Sequence, residues 1–425
     1  MNLRYSDEEE QFRTDLRAWL QEVVPGIGPA PDEDDWEGRR DYDVAWQKVL
    51  YEAGYAGIHW PEEYGGNGAS PVEHLIFLEE NERAGAPYVG MNFVGLLHAG
   101  PTLIAEASPE QQRRHLPAIL KGDEVWCQGF SEPAAGSDLA SLRTRAVLDG
   151  DEYVVNGQKI WTSFAHAADY CELLVRTDPD APKHKGITWL ILPMDTPGID
   201  IRPLRTIRGG SEFSEVFLDD VRVPVANRVG DENDGWRIAM VTFSFERGTA
   251  FVSELVYSMQ LVRDLAALAK ELPRASAREG SNRGGLPARS FERRESRGTQ
   301  RTAWDDDGLR HELGAVAAEF DALWALTKRN VSQAAREGVP GIGGSVFKLH
   351  YAEMRHRLGN LADRILERGS LSLDDLDGLA VGAHVKGRIH AMSLSIAAGT
   401  TQVQRNIIGE RILGLPKEPP VPASG

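Results

Sequence analysis

The order of hydrophobic periodicities along the chain constrains its fold more than any other feature. Apolar residues recur at helical spacing to about residue 124, strand signals fill the stretch to about residue 228, and helical spacing then returns. A helix shows one face about every 3.6 residues and a strand every second residue, so each switch marks a new structural layer. Three domains follow: N-terminal helical (1–124), central β (125–228) and C-terminal helical (229–425). The predicted class is a multidomain α+β protein with a central antiparallel sheet and a C-terminal helical bundle.

Within the first domain, Ser6 precedes acidic residues that suit a helix N-terminus, and Phe12, Leu16, Leu20 and Val23 follow on one face. Further helices are predicted over 42–53, about 71–84 and about 91–107, with another opened by Ser108-Pro109-Glu110. Residues 60–68 read as a loop by their Pro and Gly content. In the second domain, Asp149-Gly150 and Asn156-Gly157 lie between apolar runs and predict two hairpin turns. Strands are expected over 146–148, 153–155, 159–161, 171–176, 186–192 and 215–218. No Gly-x-Gly-x-x-Gly follows a strand, which argues against a Rossmann dinucleotide site. In the third domain, Leu309, Leu313, Val316, Phe320 and Leu323 form one apolar stripe, and Met354, Leu358, Leu361 and Ile365 form another. Such stripes pack helix against helix.

Composition removes several functions. With 47 basic and 64 acidic side chains the net charge is −17, the wrong sign for nucleic-acid binding or a polybasic membrane surface. Two cysteines, Cys127 and Cys171, cannot build a disulfide framework or a zinc cluster, and no metal site is expected. They fit a reducing cytoplasm as buried small hydrophobes. The acidic N-terminus does not resemble a secretory signal, and no apolar run nears the roughly 20 residues that span a bilayer. Residues 273–301 reverse the overall charge, with eight Arg against three acidic residues. This stretch, extended to 307, reads as a flexible loop, or as a docking site for an acidic surface or a phosphate-rich ligand.

Two separated motifs carry the chemistry. The first is Gln128-Gly129-Phe130-Ser131-Glu132-Pro133-Ala134-Ala135-Gly136-Ser137-Asp138, continued by Lys159-Ile160-Trp161-Thr162-Ser163. The second is Ala398-Gly399-Thr400-Thr401-Gln402-Val403-Gln404-Arg405-Asn406, followed by Arg411-Ile412-Leu413-Gly414. Taken alone, the first reads equally as a Ser/Gly turn beside a core Trp. Together, and with the domain order, they resemble the acyl-CoA dehydrogenase family over nearly the whole chain. The resemblance implies FAD bound by Gln128, Phe130, Ser131, Gly136, Ser137, Trp161, Thr162, Ser163, Thr400 and Gln402. Small residues let backbone approach the flat ring, Trp161 supplies an aromatic wall, and Ser163 reaches the hydride-accepting nitrogen. The acyl-CoA side is implied to involve Ser137, Ser244, Arg247, Ala398 and Gly399.

The family reaction removes an α-proton from the thioester while the β-hydride passes to flavin N5. Many members carry the glutamate base immediately before the Gly-Thr of the second motif, but here that position is Ala398. The alternative position, used in isovaleryl-CoA dehydrogenase, is filled by Glu246 within Phe243-Ser244-Phe245-Glu246-Arg247-Gly248. Apolar neighbours would raise its pKa and suit it to the task. Its other reading is a structural ion pair with Arg247 or a solvent-facing charge. Ala398 keeps the backbone N–H that polarises the thioester carbonyl in the family. The segments that complete the flavin site of a neighbouring subunit match poorly, at Arg289-Ser290-Phe291 and at 376–382. The resemblance therefore implies a homo-oligomer (dimer or tetramer) or a heteromer with a related chain, and an electron-transfer flavoprotein as electron acceptor. Two rivals stand beside the dehydrogenase: a non-catalytic subunit of a heteromer, and an oxidase or monooxygenase on the same fold.

Overall fold

The computed structural model describes residues 4–32, 34–249, 251–272, 301–337, 343–376 and 378–417. The side chains of 245–249 and 337 lie outside that description, as does the Arg-rich segment at 273–300. The chain divides into two compact units: Met1–Ser253 with Lys328–Gly344, and Glu254–Thr327 with Ser345–Gly425.

The first unit opens with helices α1 (Asp7–Val23), α2 (Trp36–Glu52), α3 (Pro71–Arg83), α4 (Gly100–Glu106) and α5 (Pro109–Lys121). Ser6, Ser70 and Ser108 each cap a helix, accepting from the third N–H while the Glu or Gln there accepts from the cap N–H. Helix α2 begins at Trp36 rather than 42, because the Asp35 carboxylate accepts from Gly38 N–H and starts it earlier.

The helix expected over 91–107 is broken. Gly90–Asn92 is a 3-10 turn, Gly95–Ala99 a π-helical turn, and only Gly100–Glu106 is α-helical. Trp60 explains the break. Its indole N–H donates to Leu96 O at 3.1 Å, the carbonyl that Gly100 N–H would take in an α-helix. Gly100 N–H bonds Gly95 O instead, one residue further back. The indole fits there because Gly100 has no Cβ, which would lie 2.1 Å from the ring.

The sheet contains β1 (Trp126–Gly129), β2 (Arg145–Asp149), β3 (Glu152–Ser163), β4 (Tyr170–Arg176), β5 (Ile187–Pro193), β6 (Ile199–Leu204), β7 (Phe213–Pro224) and β8 (Arg228–Val229). Its order is β6-β7-β3-β2-β4-β5-β8, with β1 also on β4. It is antiparallel except that β1 pairs parallel with β4 and β2 meets β4 at a parallel Arg145–Arg176 pair. Asp149-Gly150 makes the expected turn between β2 and β3, with Gly150 at φ 67°. Asn156-Gly157 does not turn. The Asn156 side chain is bonded to Asp220 on β7 in both directions, at 2.9 and 3.0 Å, and β3 runs on through a bulge. Strands β1, β6 and β8 carried no clear sequence signal.

β5 alternates between two cores. Trp189 and Ile191 join the helical side with Leu16, Trp46, Ile76 and Ile119, while Leu190 and Leu192 join Tyr153, Val175 and Val223. Burial on both faces explains its unbroken apolar run. Helix α6 (Gly235–Thr249) then covers the helical side, burying Ile238 and Ala239.

Helices α7 (Val252–Glu271), α8 (Asp307–Glu337), α9 (Gly343–Leu366), α10 (Gly382–Leu394) and α11 (Thr401–Ile407) supply most of the second unit. Both predicted stripes, Leu309 to Leu323 on α8 and Met354 to Ile365 on α9, are buried. Before α8, Ala303–Asp305 forms a 3-10 turn capped by Thr302, so this end of the predicted loop is ordered structure. Helices, an antiparallel-rich sheet and helices thus appear in the expected order.

Candidate active site

The first motif leaves the sheet at the end of β1. Glu132 and Ala135 exchange both backbone hydrogen bonds, at 3.1 and 3.0 Å, around Pro133-Ala134. This tight turn buries Ala135 and leaves Gly136 and Ser137 exposed. A Cβ at Gly136 would meet nothing within 4 Å, so the approach to this backbone is open.

The turn is held from beneath by a buried ion pair. Lys159 is fully buried, and its Nζ donates to Glu132 Oε1 at 2.9 Å and to Phe130 O at 3.1 Å. Glu132 also accepts from Arg143 N–H at 2.7 Å and Thr144 N–H at 2.8 Å. Burial alone would raise the Glu132 pKa, but Lys159 and the bonds at Thr144 outweigh it and hold the carboxyl below its ordinary value. Three donors therefore satisfy the charged carboxylate. Sequence reasoning did not single out this pair as a support. The two residues are 27 positions apart, and the β1 and β3 pairings bring them together.

On β3 the register slips between Lys159 and Thr162. Trp161 takes φ 62° there, and its indole is 58% exposed despite its size. A bulky residue in the left-handed region is strained, and such strain gathers at functional sites. Phe213 meets the indole edge-on at 5.9 Å. Next to it Thr162 is buried, and its Oγ1 has no hydrogen-bond partner among the described residues. Ser163 is partly buried and pairs with Phe213 across the sheet.

Phe130 is buried and packs edge-on against Phe243 of α6 at 5.9 Å. Thr242, one residue earlier, bonds Thr102 at 2.9 Å. Ser244 Oγ donates back to Val241 O at 2.7 Å. Glu246 and Arg247 lie in the helical span of α6, but their side chains are outside the described residues. Gln128 points under the sheet, where its Nε2 donates to Glu172 Oε1 at 2.7 Å and lies 3.3 Å from His98 Nδ1.

The second motif belongs to the second unit. Ala398 and Gly399 both have positive φ, 50° and 81°. Gln404 Nε2 donates to Ala398 O at 3.0 Å and Lys348 Nζ to Gly399 O at 2.8 Å, which fixes this turn. Thr400 caps α11 by accepting from Val403 N–H at 3.2 Å, and Gln402 Oε1 accepts from Thr401 Oγ1 at 3.1 Å. Lys348 lies on α9, far from the motif in sequence, and no spacing rule pointed to it.

In the first unit, then, an exposed turn of small residues, an exposed aromatic face and a buried unpaired hydroxyl stand on one sheet. This donor set fits a flat, acceptor-rich ring such as a flavin. Comparison with known proteins agrees. Models of the acyl-CoA dehydrogenase N-terminal, middle and C-terminal domains match residues 6–123, 127–221 and 288–413. The chain belongs to the acyl-CoA dehydrogenase family. It is 37% identical over 421 residues to the acyl-CoA dehydrogenase IpdE1 of Mycobacterium tuberculosis, covering 96% of this chain and 98% of that one. It is 36% identical over 431 residues to IpdE1 of Mycolicibacterium smegmatis, covering 97% and 99%. Among solved structures, the ChsE4–ChsE5 complex of Mycobacterium tuberculosis aligns with TM-score 0.81 at 32% identity, covering 98% of this chain and all of that one. Family members are FAD-dependent flavoproteins, and this chain is an FAD-dependent oxidoreductase that dehydrogenates acyl-CoA thioesters. No described helix is long and apolar enough to cross a membrane.

Proposed function

We propose that Glu246 is the base that removes the α-proton of the acyl-CoA. The supporting observation is the packing of Phe243 on Phe130. That contact turns one face of α6 toward the segment after β1, and positions three and four residues further along a helix, 246 and 247, share this face. Bound FAD supplies the acceptor for the hydride that leaves the β-carbon. The chain's part is to orient and deprotonate. By the family resemblance, Phe130, Ser131, Gly136, Ser137, Trp161, Thr162, Ser163, Thr400 and Gln402 are the residues that hold the flavin. Gln128, whose Nε2 donates to Glu172 Oε1, is a further proposed flavin contact. Ala398 and Gly399 offer backbone at a turn fixed by Lys348 and Gln404, where the thioester oxygen is polarised, and Ser244 and Arg247 serve the CoA side. A carboxylate at position 246 takes the α-proton, which removes the need for one at Ala398. Glu246→Gln is expected to keep FAD bound and to abolish bleaching of its absorbance by substrate. Full bleaching in that variant would remove Glu246 from the mechanism.

We further propose that the protein works as a heteromer with a related chain and passes electrons to an electron-transfer flavoprotein in the cytoplasm. The similar structures include two described as complexes of different chains, ChsE4–ChsE5 and the Tcur3481–Tcur3483 steroid acyl-CoA dehydrogenase. The poor match at 376–382 favours the same reading. A bulky, steroid-derived acyl group is the corresponding substrate class. Purified alone, the chain should bind markedly less than one FAD per polypeptide, and coexpression with its partner should restore it. A stable homomer with full FAD would exclude the heteromer.

A further inference from the structure

Helix α10 stops at Leu394, and the way it stops leaves one backbone donor free. Helical bonding runs a little past the last helical residue, since Ala397 N–H donates to Ser393 O at 2.8 Å. The next bond of the series would join Ala398 N–H to Leu394 O. It is not made. Leu394 O accepts from Lys348 Nζ instead, at 2.6 Å. Ala398 turns away at φ 50°, a left-handed conformation unfavourable to a residue with a Cβ. Its N–H finds no acceptor among the described residues, and the residue is exposed.

Lys348 makes a second bond, to Gly399 O at 2.8 Å. The lysine is only 5% exposed, and an ammonium, with three donors and no acceptor, suits a pocket of carbonyls. Leu394 O lies at the negative end of α10, where a cation is favoured. That oxygen has a second lone pair, but the bond to Gly399 O keeps the chain from curling back onto it. The peptide that carries the Ala398 N–H stands between two anchored ones. Ser393 O holds Ala397 N–H on one side, and Gln404 Nε2 holds Ala398 O at 3.0 Å on the other. A planar group so placed has little freedom to turn. His356, two turns after Lys348 on α9, bonds Ser395 Oγ at 2.7 Å and ties down the approach to the turn. A free, exposed N–H in a fixed direction is suited to an oxyanion, because such a donor must be in place before charge develops.

We infer that Lys348 is a positioning residue for the reaction. By filling Leu394 O it denies the Ala398 N–H its helical acceptor, and by holding Gly399 O it keeps the turn open. The N–H is left for the thioester oxygen, which gains negative charge as the α-proton passes to the base. Without Lys348 the N–H closes onto Leu394 O and α10 gains one bond. Lys348 acts through the turn, on the reaction site as proposed above, and not by contact with substrate.

The test uses 3-thiabutanoyl-, 3-thiaoctanoyl- and 3-thiadodecanoyl-CoA with the FAD-loaded protein, and its partner chain where one is needed. Sulfur in place of the β-carbon leaves no hydride to transfer, so these thioesters stop at loss of the α-proton. The bound enolate beside oxidised flavin gives a long-wavelength charge-transfer absorbance, and its growth with pH gives the pKa of the α-proton. A donor that serves the enolate more than the neutral thioester lowers this pKa, and one that serves both equally leaves it unchanged. Lys348→Met is expected to raise it by about one unit, a roughly tenfold loss of preference for the enolate, while affinity for the neutral form at low pH changes less than about threefold. Lys348→Gln keeps an N–H donor and should recover part of the shift. Where Lys348→Met loses FAD, the Gln variant decides by the same comparison with wild type. An unchanged pKa overturns the inference alone. So does equal weakening of both forms, the mark of a merely structural residue, and so does loss of FAD in both variants, which assigns Lys348 to stability. A wild-type protein in which none of the three thioesters gives the absorbance overturns the reading of the reaction site, and this inference with it.

Discussion

The charge of Lys159 is placed where water cannot reach it, and Glu132 is the reason it is tolerated. Removing one member of a buried pair leaves the other uncompensated, at a cost of about 3–5 kcal/mol. Lys159→Met should therefore lower unfolding stability by that order and loosen the Phe130–Glu132 backbone, so that FAD dissociates more readily. Denaturant titration and flavin retention on a desalting column measure the two effects. The pair also sets a pH dependence. The Glu132 carboxyl is held below its ordinary pKa of 4.5 in the folded chain. Its stabilising contribution is complete above that pH and is lost as pH falls through the lower, folded-state value. In Lys159→Met the folded-state pKa of Glu132 should rise, so this acid-side loss should shrink. At this scale the sequence was only partly legible. The motif named Ser131, Ser137 and Trp161 by likeness, but the strained φ of Trp161 and the support from Lys159 depend on strand pairing that no local spacing reveals.

Elements were legible where local chemistry decided them. The serine caps at 6 and 108 and the Asp149-Gly150 turn need nothing beyond their neighbours. Two elements went against local chemistry because a distant partner intervened. Trp60 withdraws a carbonyl from the helix expected over 91–107, and Asp220 ties Asn156 into a strand where a turn was expected. The bulge at Gly157 depends equally on close approach. A Cβ there would lie 2.5 Å from Thr144 Oγ1 and 2.7 Å from Thr144 Cα, and backbone cannot easily yield. Gly157→Ala should destabilise the protein by about 1–3 kcal/mol through overpacking. A thermal midpoint unchanged within error would show that the sheet absorbs the methyl group.

At the scale of the whole molecule, the succession of periodicities gave the layer order, because each layer must bury its own kind of face. The net charge of −17 is an average that hides the oppositely charged Arg-rich stretch, which lies outside the described residues. The two motifs fall in different units. Not legible was that residues up to Ser253 and the stretch Lys328–Gly344 belong with the first unit, because no composition shift announces that division.

Cys127 and Cys171 face each other in register across the parallel β1–β4 pair, unoxidised and buried. Burial pushes the Cys127 thiol well above its ordinary pKa, which suppresses the thiolate that alkylating reagents need. A maleimide or iodoacetamide must therefore wait for the centre of the sheet to part. The two sulfurs act as a built-in clock, and their labelling rate in native buffer counts the openings of the layer on which the Glu132–Ala135 turn stands.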